Sequence, residues 1–260
     1  MTLVDYSLEQ FQIFLMILLR TGALLLAAPI LGHRTIPTHT KIGLALVTSM
    51  VLFPMVSSKT VHLPSHLLSY GVLLVREIVM GLIIGFAALL LFIGVQFAGQ
   101  MIGLQMGFGV VNVIDPQSAG QISIIAEFQN LIAALIFLTI GGHHFLLEAI
   151  ATSFDLVPIG TGHFSPMAGQ KLIEMGAWIF TAAVKISAPV IATLFILSVA
   201  LGIIARTVPQ MNVFIVGFPV QIGVGLGTMI LSLPFFYVVL TKLIQTMQRD
   251  IRALLGFFGV

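Results

Sequence analysis

Apolar residues along this chain gather into six long runs, Phe11–Ile30, Ile42–Val56, Gly71–Gly99, Ile122–Ile140, Ala177–Ala205 and Val213–Leu240, separated by short polar interruptions. None of the runs alternates apolar with polar residues as a barrel strand would. In hydrocarbon every backbone N–H and C=O has to be satisfied within its own segment, so each run is predicted to be a helix. The fold class that follows is all-α and integral to a membrane. No interval between runs is long enough for a soluble domain, so residues 1–260 read as a single helical unit.

The run lengths do not suit simple spans. About 20 helical residues cross a hydrocarbon core of about 30 Å. Ile42–Val56 is short and has Pro54 near its end, whereas Gly71–Gly99 and Ala177–Ala205 would each reach roughly 43 Å at 1.5 Å per residue. Five charges also fall inside apolar runs: Arg20, Arg76, Glu77, Glu127 and Lys185. A central Arg or Lys costs about 2.5–3.5 kcal/mol on insertion scales, so these groups should not face lipid. Three arrangements would shelter them: interhelical ion pairs, an ion or proton pathway, or helices that leave the bilayer and meet protein or water. Arginine keeps its proton in proteins, so Arg20 is expected to be structural rather than a proton carrier.

Composition agrees with the pattern. Hydrophobic residues make up 58% of the chain and charged residues only 8%, with a mean hydropathy of +1.14. A soluble domain would carry about a quarter charged residues. Net charge is +2 with no basic cluster, which argues against nucleic acid as a partner. With no cysteine there are no disulfides and no thiolate metal sites. The first ten residues hold Asp5 and Glu9 but no Lys or Arg, unlike the positive start of a secretory signal, so the run from Phe11 is expected to be retained. Six spans with the N-terminus outside would place Arg34, Lys41 and Arg206 inside, and Lys59, Lys171, Lys242, Arg249 and Arg252 outside. That bias is too weak to orient the chain.

Catalytic and cofactor chemistry is not indicated. Gly107-Phe-Gly109 lacks the later glycine and the strand context of a dinucleotide site, and no phosphate-binding loop is present. Adjacent His143 and His144 would point about 100° apart on a helix and make a poor chelate. No serine or carboxylate constellation suggests a reaction. The chain is therefore expected not to be an enzyme and to need no cofactor or metal.

Small residues recur at the four-residue spacing that lets helix backbones approach: Gly81 with Gly85, then Gly99, Gly103 and Gly107. Gln96, Gln100 and Gln105 add amides to the same stretch, which predicts interhelical hydrogen bonds or a wet surface. A polar, glycine-studded break follows at 107–121, where Gly107, Gly109 and Gly120 permit unusual backbone angles and Pro116 stops helix propagation. Such a break is either an ordinary turn or a segment that lines or blocks a passage. At the C-terminus, Leu243, Met247, Ile251, Leu254 and Phe258 follow helical spacing within 241–258, which predicts an amphipathic helix lying at an interface or docked on another subunit.

Four stretches together resemble the FliR family of flagellar biosynthetic proteins, components of the type III export gate. The first is Leu18-Leu-Arg20 with Ala28-Pro-Ile-Leu-Gly-His-Arg34, Ile36-Pro37 and Lys41-Ile-Gly43. The second runs from Ala98 through Gly107 to Val113-Ile-Asp-Pro-Gln117. The third is Gly141-Gly-His143 with Leu156-Val-Pro-Ile-Gly160, and the fourth is Arg206 to Pro219. The resemblance covers essentially the whole chain.

The resemblance implies one copy of this chain in a helical hetero-oligomer with FliP and FliQ family subunits, and a further gate subunit of the FlhB family nearby. It also implies unfolded export substrates and a place in the bacterial inner membrane at the flagellar basal body, part of the assembly being raised toward the periplasm. The chain would comprise a FliP-like part over about 1–169 and a FliQ-like hairpin with the C-terminal amphipathic helix over about 170–260. The hairpin turn would hold Arg206, Pro209, Gln210, Met211 and Asn212 near the cytoplasmic entrance. The family's pore plug would correspond to Gly107, Phe108, Gly109, Val110, Val111, Asn112, Val113, Ile114, Asp115, Pro116 and Gln117. Its apolar members suit exclusion of water, and Asn112, Asp115 and Gln117 suit hydrogen bonding of the shut state.

Three readings compete, one of them a purely structural membrane scaffold in which the 107–121 break is an inert turn. An ion-coupled secondary transporter would use Glu77, Glu127 and Lys185 as a relay, but it predicts matching broken helices in both halves, and Pro189 and Pro219 find no clear counterparts in the first half. An injectisome export-gate homologue shares the fold and many of the motifs; the 107–117 and 206–219 stretches favour the flagellar branch.

Overall fold

The computed structural model describes residues 3–57, 66–108, 123–162, 165–208, 210 and 212–259. All regular structure among them is helical: α1 (Leu3–Ala27), α2 (Thr38–Ser57), α3 (Leu67–Gln105), α4 (Ile124–Thr139), α5 (Gly142–Leu156), α6 (Pro166–Thr207) and α7 (Val213–Phe258). Five helices are long and apolar enough to cross a membrane, or six spans if α4 and α5 count as one broken span. At 39, 42 and 46 residues, α3, α6 and α7 would extend about 58, 63 and 69 Å, roughly twice a hydrocarbon core.

The helices survive residues that ordinarily break them. Pro54, Pro189, Pro219 and Pro234 all lie inside helices. Each removes one backbone donor, a loss tolerable in long apolar helices whose neighbours re-satisfy the freed groups. The hydroxyls of Thr48, Ser49, Thr139, Thr193, Ser198, Thr228 and Thr241 each donate to the carbonyl four residues earlier. This hides otherwise unpaired polar groups on apolar helices.

Contacts divide the chain into two compact units. The first comprises residues 1–90, 141–176 and 245–260. Within it α1 packs on α2 and α3, with the buried face of α5 (Phe145, Leu146, Ala149, Ile150, Ser153, Phe154) completing the core. The second comprises residues 91–140 and 177–244. There α6 and α7 return on each other as a hairpin, tied by Gln221 Nε2 donating to Ser198 Oγ at 3.4 Å. Ile102, Met106, Ile125, Val190, Leu194 and Met229 form the core of this unit.

Two sequence expectations need correction. Residues 241–258 are not a separate helix but the continuation of α7. Their apolar stripe lies neither at an interface nor ready for another subunit, because Met247, Ile251, Leu254 and Phe258 are buried within this chain. Lys171 holds Asp250 at 2.9 Å and Arg252 reaches Glu148 at 3.2 Å, which fixes this end of α7 to α6 and α5. The second correction is α5 itself, which the apolar runs do not contain.

Candidate functional site: a loop base and a buried charge

The segment expected to form a plug leaves α3 through a defined cap. Gly107 has φ of 92° and its N–H donates to the Leu104 carbonyl, while the Phe108 N–H donates to the Gly103 carbonyl. These are the paired bonds of a Schellman termination, in which the left-handed position favours glycine. A Cβ on Gly107 would lie 2.5 Å from the Phe218 ring of α7, so glycine is required here by space as well as by φ. Phe108 packs against the core of the second unit.

The segment returns at α4 through a second cap. Ser123 Oγ accepts from the Ala126 N–H at 3.4 Å. The two ends are brought together by the glycine run: a Cβ on Gly99 would collide with the Ala126 backbone, and one on Gly103 would lie 2.5 Å from Ser123 Oγ. The four-residue spacing thus serves as expected, letting α3 and α4 meet backbone to backbone at the base of the loop. Residues 109–122, and with them Gly109, Val110, Val111, Asn112, Val113, Ile114, Asp115, Pro116 and Gln117 of the expected plug, lie outside the described residues.

In the first unit, Arg20 is buried to 1% exposure beside Glu77 at 2%. Its Nε donates to Glu77 Oε2 at 2.6 Å. Its Nη1 donates to the carbonyls of Ser153 and Val157, both at 3.0 Å, and approaches Ser153 Oγ at 3.2 Å. The guanidinium stacks 4.1 Å from the Phe154 ring centroid. The other carboxylate oxygen, Glu77 Oε1, accepts from Gly160 N–H at 3.4 Å. One fork-shaped cation therefore joins α1, α3, the end of α5 and the turn after it, which suits arginine and not lysine. Gly81 and Gly85 make this possible, since a Cβ on either would press into α1 at Arg20, Leu24 and Ala27.

The other charges divide differently. Glu127 lies in the first turn of α4, exposed, where a carboxylate favours the helix N-terminus. Arg76 and Lys185 are exposed. Among the described residues, interhelical pairing thus accounts for Arg20 and Glu77 and not for the other three. Gln96 and Gln100 line a cavity of about 280 Å³ beside Ile93, Phe97, Ile179 and Phe180. The rings of His143 and His144 on α5 lie 4.1 Å apart between centroids and are tilted by 56°, and no group of three or more His, Cys, Asp or Glu among the described residues is placed to hold a metal.

The expected entrance turn falls between α6 and α7. Arg206, Gln210 and Asn212 are exposed there, while Pro209 and Met211 lie outside the described residues. Arg206 occupies the last turn of α6, where a cation suits the helix C-terminus. Asn212 caps α7, its Oδ1 accepting from Ile215 N–H at 3.4 Å.

Sequence reasoning marked Arg20 and Glu77 but missed Ser153, Val157 and Gly160, which meet them through backbone groups. The signal available was the third motif, Leu156 to Gly160, whose carbonyl and N–H close the network. The first motif closes similarly: Lys41 Nζ donates to the Gly32 carbonyl at 2.8 Å across a turn in which Ile30 has φ of 68°.

A family model described as bacterial export proteins, family 1, matches residues 11–247. The flagellar biosynthetic protein FliR of Bacillus subtilis (strain 168) is 34% identical over 97% of this chain and 98% of its own length. That of Escherichia coli (strain K12) is 34% identical over 84% of this chain and 82% of its own. That of Aquifex aeolicus (strain VF5) is 30% identical over 91% and 92%.

Proposed function

Because this chain belongs to the bacterial export proteins, family 1, and is a membrane-embedded component of the flagellar export apparatus, we propose that it forms part of the export channel's wall and carries its plug. The plug is the segment Gly107–Gln121, and its role is to seal against ions until an unfolded substrate passes. The observation that supports this most is the closed base. Both ends of the segment are capped at one point of glycine-mediated contact, which would give a plug a fixed foot and keep α3 on α4. Gly107 supplies a hinge position. The chain contributes wall and gate, and the energy for export comes from elsewhere in the apparatus.

In this reading the chain is present once, among several FliP and FliQ family subunits, with part of the assembly raised toward the periplasm and the Arg206–Asn212 turn at the cytoplasmic mouth. Residues from about 170 onward act as a FliQ-like hairpin. The long α3, α6 and α7 and the exposed apolar residues along them suit helices that cover one another's neighbours instead of only lipid. Co-purification with native mass spectrometry tests this. One copy of this chain among several of two smaller membrane proteins is expected, and a stable homodimer without partners contradicts it.

A further inference from the structure

Beyond the loop base, the second unit holds a small cavity between α4, α6 and α7, which leaves about 20 Å³ to the centre of a water molecule. One water needs about 10–15 Å³ on that measure, so there is room for one and for nothing larger. Ile186, Met229 and Phe236, all buried, are among its apolar walls. Two polar side chains line it as well, Gln129 from α4 and Ser232 from α7.

Gln129 is 7% exposed, and its Oε1 is shut off from solvent with no hydrogen-bond partner among the described residues. A buried amide oxygen left in that state carries its full desolvation penalty, so it calls for a donor. Ser232 is not that donor. Its Oγ already gives its one proton to the Met229 carbonyl at 3.1 Å, and only its lone pairs are left, to accept. Two acceptors thus line one small space. A group that satisfies both must carry two protons, and at this size that group is water. With the amide turned the other way, its N–H donates to the same water, which still donates to Ser232.

We propose that a single water is bound here, bridging Gln129 of α4 to Ser232 of α7 across an otherwise apolar core. Helix α4 begins directly after the Ser123 cap, so the bridge ties the capped helix to the α6–α7 hairpin. The site stands whether or not the preceding segment is a plug. Radiolytic hydroxyl labelling of the purified assembly reads the water directly, because radicals formed from a trapped water oxidise the side chains it touches. Met229 lines the cavity, whereas Met106, a buried methionine of the same core, does not.

Met229 is expected to be oxidised severalfold faster than Met106 in the unmodified protein, and Gln129→Leu should bring it down to the Met106 rate. In thermal unfolding, Ser232→Ala should lower the midpoint when Gln129 is present and leave it unchanged beside Gln129→Leu, because both substitutions break one bridge. Fast oxidation of Met229 that persists in Gln129→Leu would mean that bulk solvent reaches it, and would overturn the proposal. Equal rates at the two methionines would do the same: with the thermal coupling kept, the amide meets the hydroxyl directly, and without it the cavity is dry. If Gln129→Leu gives no folded assembly, Ser232→Ala alone should still slow Met229 oxidation, and an unchanged rate contradicts the bound water.

Discussion

Helix α3 uses the same device twice, and the two uses differ in what they enclose. Gly81 and Gly85 bring α1 against it in the first unit, and Gly99 and Gly103 bring α4 against it in the second. Around the first pair the space is filled by Arg20, Glu77 and the carbonyls they hold, a charge-assisted lattice that leaves little freedom. Around the second there are a serine cap, an alanine and an apolar core, with the fourteen residues 109–122 between the two caps. Close approach is common to both; the polar filling fixes the first region in one geometry, and in the proposed reading the second is the foot of the plug.

The largest effect is expected at the fixed region. Arg20→Leu strands the Glu77 carboxylate in the core and should cost about 3–5 kcal/mol, sharply lowering the yield and the unfolding temperature of the folded protein. Arg20→Lys keeps the charge but loses the fork, and should fall between. Pairing Arg20→Leu with Glu77→Leu should recover part of the loss; thermal unfolding in detergent ranks the four proteins. A double variant no better than Arg20→Leu alone would mean that the carbonyl bonds, not the ion pair, hold this region.

Smaller effects should separate the second region from the first. Gly99→Ala drives a methyl into the Ala126 backbone and is expected to cost about 1–3 kcal/mol as overpacking, lowering stability and export together. Gly107→Ala puts a side chain at positive φ against Phe218, costing about 1–2 kcal/mol. Here export, followed by secreted substrate, should fall while co-purification of the assembly is kept. Equal loss of both would erase the distinction between foot and lattice. The smallest change is Asn212→Ala, which removes the α7 cap for about 1 kcal/mol. Cysteines at Arg206, Gln210 or Asn212, introduced into this cysteine-free chain, should label from the cytoplasmic side; labelling only from the periplasm reverses the orientation.

The glycine pairs were legible because a four-residue spacing puts both members on one helix face whatever the partner. The turn after Arg206 and the cap at Gly107 were legible because proline and glycine mark them. Arg20 and Glu77 were legible as charges needing shelter, but not as a pair: they are 57 residues apart and half of their neighbours are backbone groups, which leave no side-chain pattern. Helix α5 escaped because His143, His144, Glu148 and Asp155 interrupt its apolar run, although Phe145, Ala149 and Ser153, and Leu146, Ile150 and Phe154, keep a helical period. The C-terminal stripe was visible as a stripe. What covers it, this chain's own first unit, is a tertiary fact that periodicity does not contain.

The central claim concerns the loop between the two caps. Deleting Val110–Ile114 removes Val110, Val111, Val113 and Ile114 together with Asn112, and leaves Gly107, Phe108 and Ser123, and so both caps, in place. Ion conductance across membranes holding the assembly, measured without export substrate and alongside co-purification of its subunits, is the most direct test. An intact assembly that leaks small ions is the predicted result, and an intact assembly with unchanged conductance would contradict the assignment of this segment as the plug.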